Sequence, residues 1–93
     1  MDIYKYVVDD EGEKFYFLFD IVCAEVGYKC KVLYKPHIER SLARSDVIHL
    51  LVGEDGLPYI CLTEPVFDKK RMRAISEYWA KCFVKYIKYG TKY

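Results

Sequence analysis

The last third of the chain carries an amphipathic pattern that is long for a protein of 93 residues. Thr63-Glu64-Pro65 is a typical helix start, and Gly90 is a typical residue just after a helix end. The segment between them predicts a helix of about 24 residues that ends at Tyr89, about 36 Å long at 1.5 Å per residue. A rotation of about 100° per residue places six side chains on one apolar face: Met72, Ile75, Trp79, Cys82, Phe83 and Tyr86. This face predicts the contact between the helix and the core.

Two hairpins are predicted upstream of that helix. Residues 3–8 and 14–18 are rich in β-branched and aromatic side chains and flank an acidic turn that contains a glycine. Residues 46–52 and 57–62 flank a Gly-Glu-Asp-Gly turn at residues 53–56. Each pair of apolar runs around a short turn is typical of two antiparallel strands.

The segments between the hairpins predict short helices. Asp20 is a candidate N-cap of a helix that would end before Gly27, because its carboxylate can accept hydrogen bonds from unpaired amides. Pro36 suits the first turn of another helix over residues 37–44. Residues 28–35 alternate lysines with apolar side chains, which favours a strand or an extended link but also permits a short helix.

These elements together predict a single α+β domain over residues 1–93, with an N-terminal β-hairpin, short helices, a second β-hairpin and a long C-terminal helical segment. No apolar run reaches the roughly 20 residues that a membrane span needs, and the N-terminus does not have the pattern of a signal peptide. The four cysteines contain no Cys-x-x-Cys pair. We therefore expect a cytoplasmic protein with reduced thiols and no membrane partner.

Charge is distributed unevenly along the chain. Residues 1–26 carry two lysines and seven carboxylates, a net charge of −5. Residues 27–93 carry 13 basic and 7 acidic side chains, a net charge of +6. Such asymmetry indicates either an anionic partner or a solvated basic helix face.

The sequence contains no pattern that is typical of an enzyme. There is no glycine-rich phosphate loop, and the order of residues indicates neither a Ser/His/Asp nor a Cys/His arrangement. His37 and His49 lie too far from any paired thiols to indicate a zinc site. We therefore expect no enzymatic activity, no metal and no cofactor.

Four stretches, in order, resemble the Bro N-terminal domain of viral and phage antirepressor-type proteins. They are residues 7–16 (an acidic Gly-Glu turn followed by an aromatic), 18–28 (ending in Val-Gly-Tyr), 62–65 (Leu-Thr-Glu-Pro) and 87–93 (Ile-Lys-Tyr-Gly-Thr-Lys-Tyr). The resemblance implies an α+β DNA-binding domain that regulates transcription, has no enzymatic activity, and comes from a phage, a virus or a mobile element. Residues 37–64 and the long helix that follows them are also similar to the back half of a winged helix.

This interpretation assigns duplex DNA as the partner and basic side chains interleaved with tyrosines as the phosphate contacts. The predicted nucleic-acid-binding residues are Lys29, Lys31, Lys35, Arg40, Arg44, Lys81, Lys85, Lys88 and Lys92. Of these, Arg40 or Arg44 is the candidate reader of a base edge, because arginine is the commonest guanine reader.

The alternative is a protein–protein interaction module that binds and inhibits a host regulator or a defence protein, or another phage protein. Ten tyrosines give the chain large side chains with a polar tip, which suit protein interfaces. A homodimer through the long helix is a further option. The two main interpretations differ in one respect: DNA binding requires the cations to converge on one surface.

Overall fold

One five-stranded sheet and one long helix form the body of the protein. The computed structural model describes residues 2–39 and 41–91. The elements in chain order are β1 (Asp2–Asp10), β2 (Glu13–Cys23), β3 (Tyr28–Tyr34), α1 (Ser45–Ile48), β4 (Leu50–Val52), β5 (Pro58–Ile60) and α2 (Lys69–Tyr89). The strand order is β1-β2-β3-β5-β4 and every pairing is antiparallel. The α+β class is therefore confirmed.

The first hairpin is present and longer than predicted. Its register runs from Asp10↔Glu13 at the turn to Asp2↔Ile21 at the far end, without a shift. Glu11 and Gly12 form the turn, with φ values of 53° and 87°. Two successive positive φ values define the two-residue hairpin turn whose twist matches the strands.

The short helix predicted after Asp20 is wrong. Asp20 lies inside β2, which continues to Cys23, and it caps no helix. Phe17, Phe19 and Ile21 are buried at alternate positions of this strand. This alternation, with β-branched and aromatic side chains, stabilises a strand more than a single capping carboxylate stabilises a helix.

The short helix predicted over residues 37–44 is also wrong. None of the described residues in that range, 37–39 and 41–44, is helical, and the nearby helix α1 has only four residues. The segment is held by α2 instead: the Tyr86 hydroxyl donates to the Leu42 carbonyl at 3.0 Å, and the Trp79 Nε1–H donates to the Ile48 carbonyl at 2.8 Å. These tertiary bonds take the place of local helical ones.

The ambiguous stretch 28–35 is mostly the strand β3, and the second hairpin is shorter than predicted. β4 and β5 have three residues each and pair from Leu50↔Ile60 to Val52↔Pro58. The first part of the predicted strand 46–52 belongs to α1.

The long helix is present, but it begins at Lys69, after the Thr-Glu-Pro segment. Its N-cap is Asp68, whose side chain accepts a hydrogen bond from the Lys70 amide at 3.1 Å. Gly90 ends it in the left-handed conformation, with φ of 71°, and donates its amide to the Tyr86 carbonyl.

The apolar face of α2 packs on one side of the sheet, as its pattern predicts. Met72, Trp79, Phe83 and Tyr86 are buried, whereas Ile75 and Cys82 are partly exposed. The Phe17 ring centroid lies 5.9 Å from those of both Trp79 and Phe83, in edge-on geometry. Such pairs each contribute about 0.5–1.5 kcal/mol beyond the burial of apolar area.

Gly27 makes a testable contact with the segment before α2. Its φ is +75°, and a Cβ added there would lie 2.5 Å from the Val66 carbonyl oxygen, which accepts the Tyr28 amide at 2.7 Å. Gly56 has a similar φ of +80° but open space around it. We expect Gly56→Ala to lower the free energy of unfolding by about 1 kcal/mol, the cost of the left-handed backbone alone.

Gly27→Ala is expected to lower the free energy of unfolding by at least about 1 kcal/mol more than Gly56→Ala does, because the connection between β2 and β3 must move away from Val66. Urea denaturation of both variants measures the difference. Equal losses would show that the contact between Gly27 and Val66 is not tight.

Candidate binding surfaces

The cations predicted to bind DNA lie on separate surfaces. Along β3, Lys29 and Lys31 alternate with the buried Cys30 and Val32. The two lysines therefore lie on the sheet face that points away from α2. Lys81 and Lys85 are exposed on α2, on the opposite side of the sheet. The described cations therefore do not converge on one patch.

Two of these lysines are engaged by carboxylates of the same chain. Lys31 forms an ion pair with Asp55 in the turn between β4 and β5. Lys88 contacts Asp10 at 2.7 Å and Glu13 at 3.0 Å, both at the tip of the first hairpin. The hydrogen bonds from Lys88 and from the Tyr89 hydroxyl lower the pKa of Asp10, and the carboxylates raise the pKa of Lys88.

The remaining predicted contacts are dispersed. Lys35 is partly buried, its Nζ lies 5.6 Å from the Phe83 ring centroid, and loss of hydration lowers its pKa. Arg44 is exposed before α1, where its carbonyl accepts the Ile48 amide. Arg40 and Lys92 lie outside the described residues.

The sheet face that points away from α2 is called the outer face here. On this face, Leu18 of β2 lies opposite Tyr34 of β3. A second row crosses four strands, from Asp20 through Lys31 and Tyr59 to Leu51. The aromatic and aliphatic members of the outer face are Ile3, Val7, Tyr16, Leu18, Val22, Tyr34, Leu51 and Tyr59. No helix of the described part of the chain packs on this face.

Most charges on the outer face are in contact with a neighbour. The Nζ of Lys5 lies 5.3 Å from the Tyr16 ring centroid, and that of Lys29 lies 4.9 Å from the Tyr59 centroid. Asp20 is buried and accepts a hydrogen bond from the Asp2 amide at 3.2 Å. The face therefore presents aromatic and apolar surface between charges that are already partnered.

The sequence pattern did not identify this face. The helix predicted after Asp20 hid the length of β2. The apolar run from Phe15 to Val22, interrupted only by Asp20 and longer than the predicted strand 14–18, is the signal that would have found it.

The described residues contain few groups with unusual chemistry. Burial raises the pKa of the Cys30 thiol to about 12, so the thiol stays protonated at neutral pH. Within residues 2–39 and 41–91, no three His, Cys, Asp or Glu side chains are grouped to hold a metal ion. All four cysteines are free. Over the same ranges, no helix has both the length and the apolar character that crossing a membrane requires.

None of the family models, curated proteins or solved structures compared with the chain matches it. The resemblance to the Bro N-terminal domain therefore stays a prediction from short motifs. Function has to be inferred from the surfaces themselves.

The pairing of Lys88 with Asp10 predicts a measurable change in titration. In the native chain the pKa of Asp10 is lowered from its ordinary value of 3.8, so this carboxylate favours the folded state above that pH and loses the contribution as the pH falls through the native pKa. We expect Lys88→Met to bring the Asp10 pKa back toward 3.8 and to weaken the acid dependence of stability.

NMR titration of the Asp10 carboxyl carbon measures this directly. Lys70→Met is the control, because Lys70 forms no ion pair with a carboxylate of the described chain. An unchanged Asp10 titration in Lys88→Met would contradict the contact.

Proposed function

We propose that the chain is a protein-binding module that recognises a folded partner through the outer face. The observation that carries this is an uncovered sheet face with exposed Tyr16, Tyr34 and Leu51, whose charges are mostly engaged by neighbours. Tyrosine-rich, charge-poor centres are typical of protein interfaces. A partner such as a host regulator or a defence protein fits the alternative that the sequence left open.

The dimensions of the outer face support this proposal. Each strand residue occupies about 3.3 Å along its strand and about 4.8 Å between strands. The five strands have 9, 11, 7, 3 and 3 residues. The projected area of the outer face is therefore about 520 Å², about two thirds of the roughly 800 Å² that one partner buries in a standard interface. Lys5 and Lys29 lie beside the rings of Tyr16 and Tyr59, so their charges are held against aromatic surface.

Duplex DNA is the second candidate partner, and one observation favours it. Lys81 and Lys85 are exposed one turn apart on α2, and no described carboxylate lies within ion-pair distance of either. Together with Lys70 and Arg71 they give α2 four cations that are free of ion pairs in the described chain. The resemblance to an antirepressor domain supports the same partner, with transcription regulation as the role.

Photo-crosslinking tests the proposed function. We expect p-benzoylphenylalanine in place of Tyr34, which is 59% exposed, to crosslink one protein in the cells from which the chain comes. The matched control is the same replacement at Tyr78 on α2, which is 71% exposed and should give no such product.

A second substitution makes the result specific. Leu51→Glu should reduce the Tyr34 crosslink by at least about tenfold, because it introduces an unpaired charge into apolar surface of the outer face, which is costly to bury. A crosslink to nucleic acid, equal products at Tyr34 and Tyr78, or the absence of any product would contradict the proposal.

A salt series with a labelled DNA duplex tests the second candidate. Four phosphate contacts predict a slope of log K against log salt of about −3.6 between about 50 and about 200 mM salt. We expect no such binding if the outer face is the functional surface. Binding with that slope, weakened by replacing Lys81 and Lys85 with Ala, would instead favour DNA. Lys29→Ala, on the opposite side of the sheet, is the matched control.

A further inference from the structure

No strand within the described residues pairs with the outward edge of β1. β1 is the first strand of the sheet, has nine residues, contains no proline and pairs with β2 without a bulge. The two-residue turn makes Asp10 and Glu13 a hydrogen-bonded pair, so even-numbered residues of β1 bond to β2. The backbone amides and carbonyls of Ile3, Lys5 and Val7 therefore point outward, where no described strand pairs with them.

The helix α2 runs beside this edge from end to end. Lys69 contacts Asp2 at 2.8 Å, the Tyr4 hydroxyl donates to the Arg73 carbonyl at 3.4 Å, and Lys88 contacts Asp10. At 1.5 Å per helical residue and about 3.3 Å per strand residue, the two elements have nearly equal lengths of about 30 Å. Strand edge and helix therefore form the two walls of one groove.

Two clefts lie along that groove. One, of about 350 Å³, is lined by Tyr4, Lys70 and Arg73 among others. The other, of about 240 Å³, is lined by residues that include Tyr6, Lys81 and Lys85. Each combines an aromatic ring with cations from the helix, and they follow one another along the strand.

The groove carries an excess of positive charge. The carboxylates beside it are already paired: Asp2 with Lys69, Asp9 with Lys14, Asp10 with Lys88, and Glu77 with Arg73. In contrast, three lysines on the α2 side of the groove have no described carboxylate within ion-pair distance: Lys70, Lys81 and Lys85.

We propose that the edge of β1 binds an extended acidic segment of a partner protein, which adds to the sheet as a sixth strand with its carboxylates facing Lys70, Lys81 and Lys85. The open backbone groups supply the hydrogen bonds and the helix flank supplies the charge selectivity. The inference rests on the proposed role as a protein-binding module, but it concerns a surface separate from the outer face.

A second copy of the chain fits this edge poorly. Pairing two β1 strands about a two-fold axis would place both α2 helices on the same side of the joined sheet. Their cationic flanks would then face each other, with Lys81 and Lys85 of each copy directed toward like charges. An acidic strand meets no such repulsion.

Amide hydrogen exchange on the whole chain tests the proposal. The probe is an acetylated and amidated nonapeptide of alternating glutamate and valine, matched in length to β1. Its control has glutamine in place of every glutamate. Binding should protect the outward amides of Lys5 and Val7, while those of Tyr6 and Val8 are already protected by β2. The glutamine peptide should bind about tenfold more weakly, since it lacks the charges that meet the flank.

Two variants locate the site. Val7→Pro removes an outward N–H and leaves the ladder with β2 intact, so the chain should fold and lose the peptide. Lys81→Glu combined with Lys85→Glu should weaken binding by at least about tenfold, whereas Lys29→Glu on the outer face should not change it. If Val7→Pro does not fold, the exchange pattern of the unmodified chain with the two peptides decides.

The outcomes that overturn the proposal are distinct. Unprotected Lys5 and Val7 amides at saturating peptide, or equal affinity for both peptides, would refute it. Protection that rises with protein concentration alone would assign the edge to a second copy. The crosslink at Tyr34 reports on the outer face, so it persists in the variant with Lys81→Glu and Lys85→Glu, whose side chains lie on the opposite side of the sheet, whether or not the edge binds the peptide.

Discussion

The packing of α2 on a single face of the sheet is the contact on which the rest of the structure depends. Phe17 of β2 meets Trp79 and Phe83 of α2, and Phe19 meets Trp79, with ring centroids 5.9–6.2 Å apart. In a chain this short, the described residues provide one long helix, and it covers one face. The opposite face and the β1 edge are therefore left open by the same arrangement that builds the core.

The uneven charge of the sequence is explained in part by contacts within the fold. The acidic N-terminal hairpin and the basic helix lie side by side, and Lys69 and Lys88 pair with Asp2 and Asp10. These partners are separated by 67 residues or more in sequence, so no local pattern reveals them. Charge asymmetry along a chain thus indicates which segments attract each other as well as what the protein binds.

Local signals predicted the parts of the fold that depend on local chemistry. The turn at Glu11 and Gly12 and the C-terminal Gly90 were identified because their backbone conformation restricts residue type. The helix expected after Asp20 failed because burial of Phe19 and Ile21 outweighs capping. The dispersal of the predicted DNA contacts was likewise beyond local reasoning, since it follows from which sheet face each lysine occupies.

Trp79 lies in the interior of the protein, between α2 and the sheet. It is the only tryptophan of the chain, it is 4% exposed, and its indole N–H is bound to the Ile48 carbonyl. Its fluorescence emission therefore reports the integrity of the interior and is insensitive to a molecule that docks on the far side of the sheet. Trp79 emission thus changes when the fold is lost and stays constant when a molecule occupies the outer face.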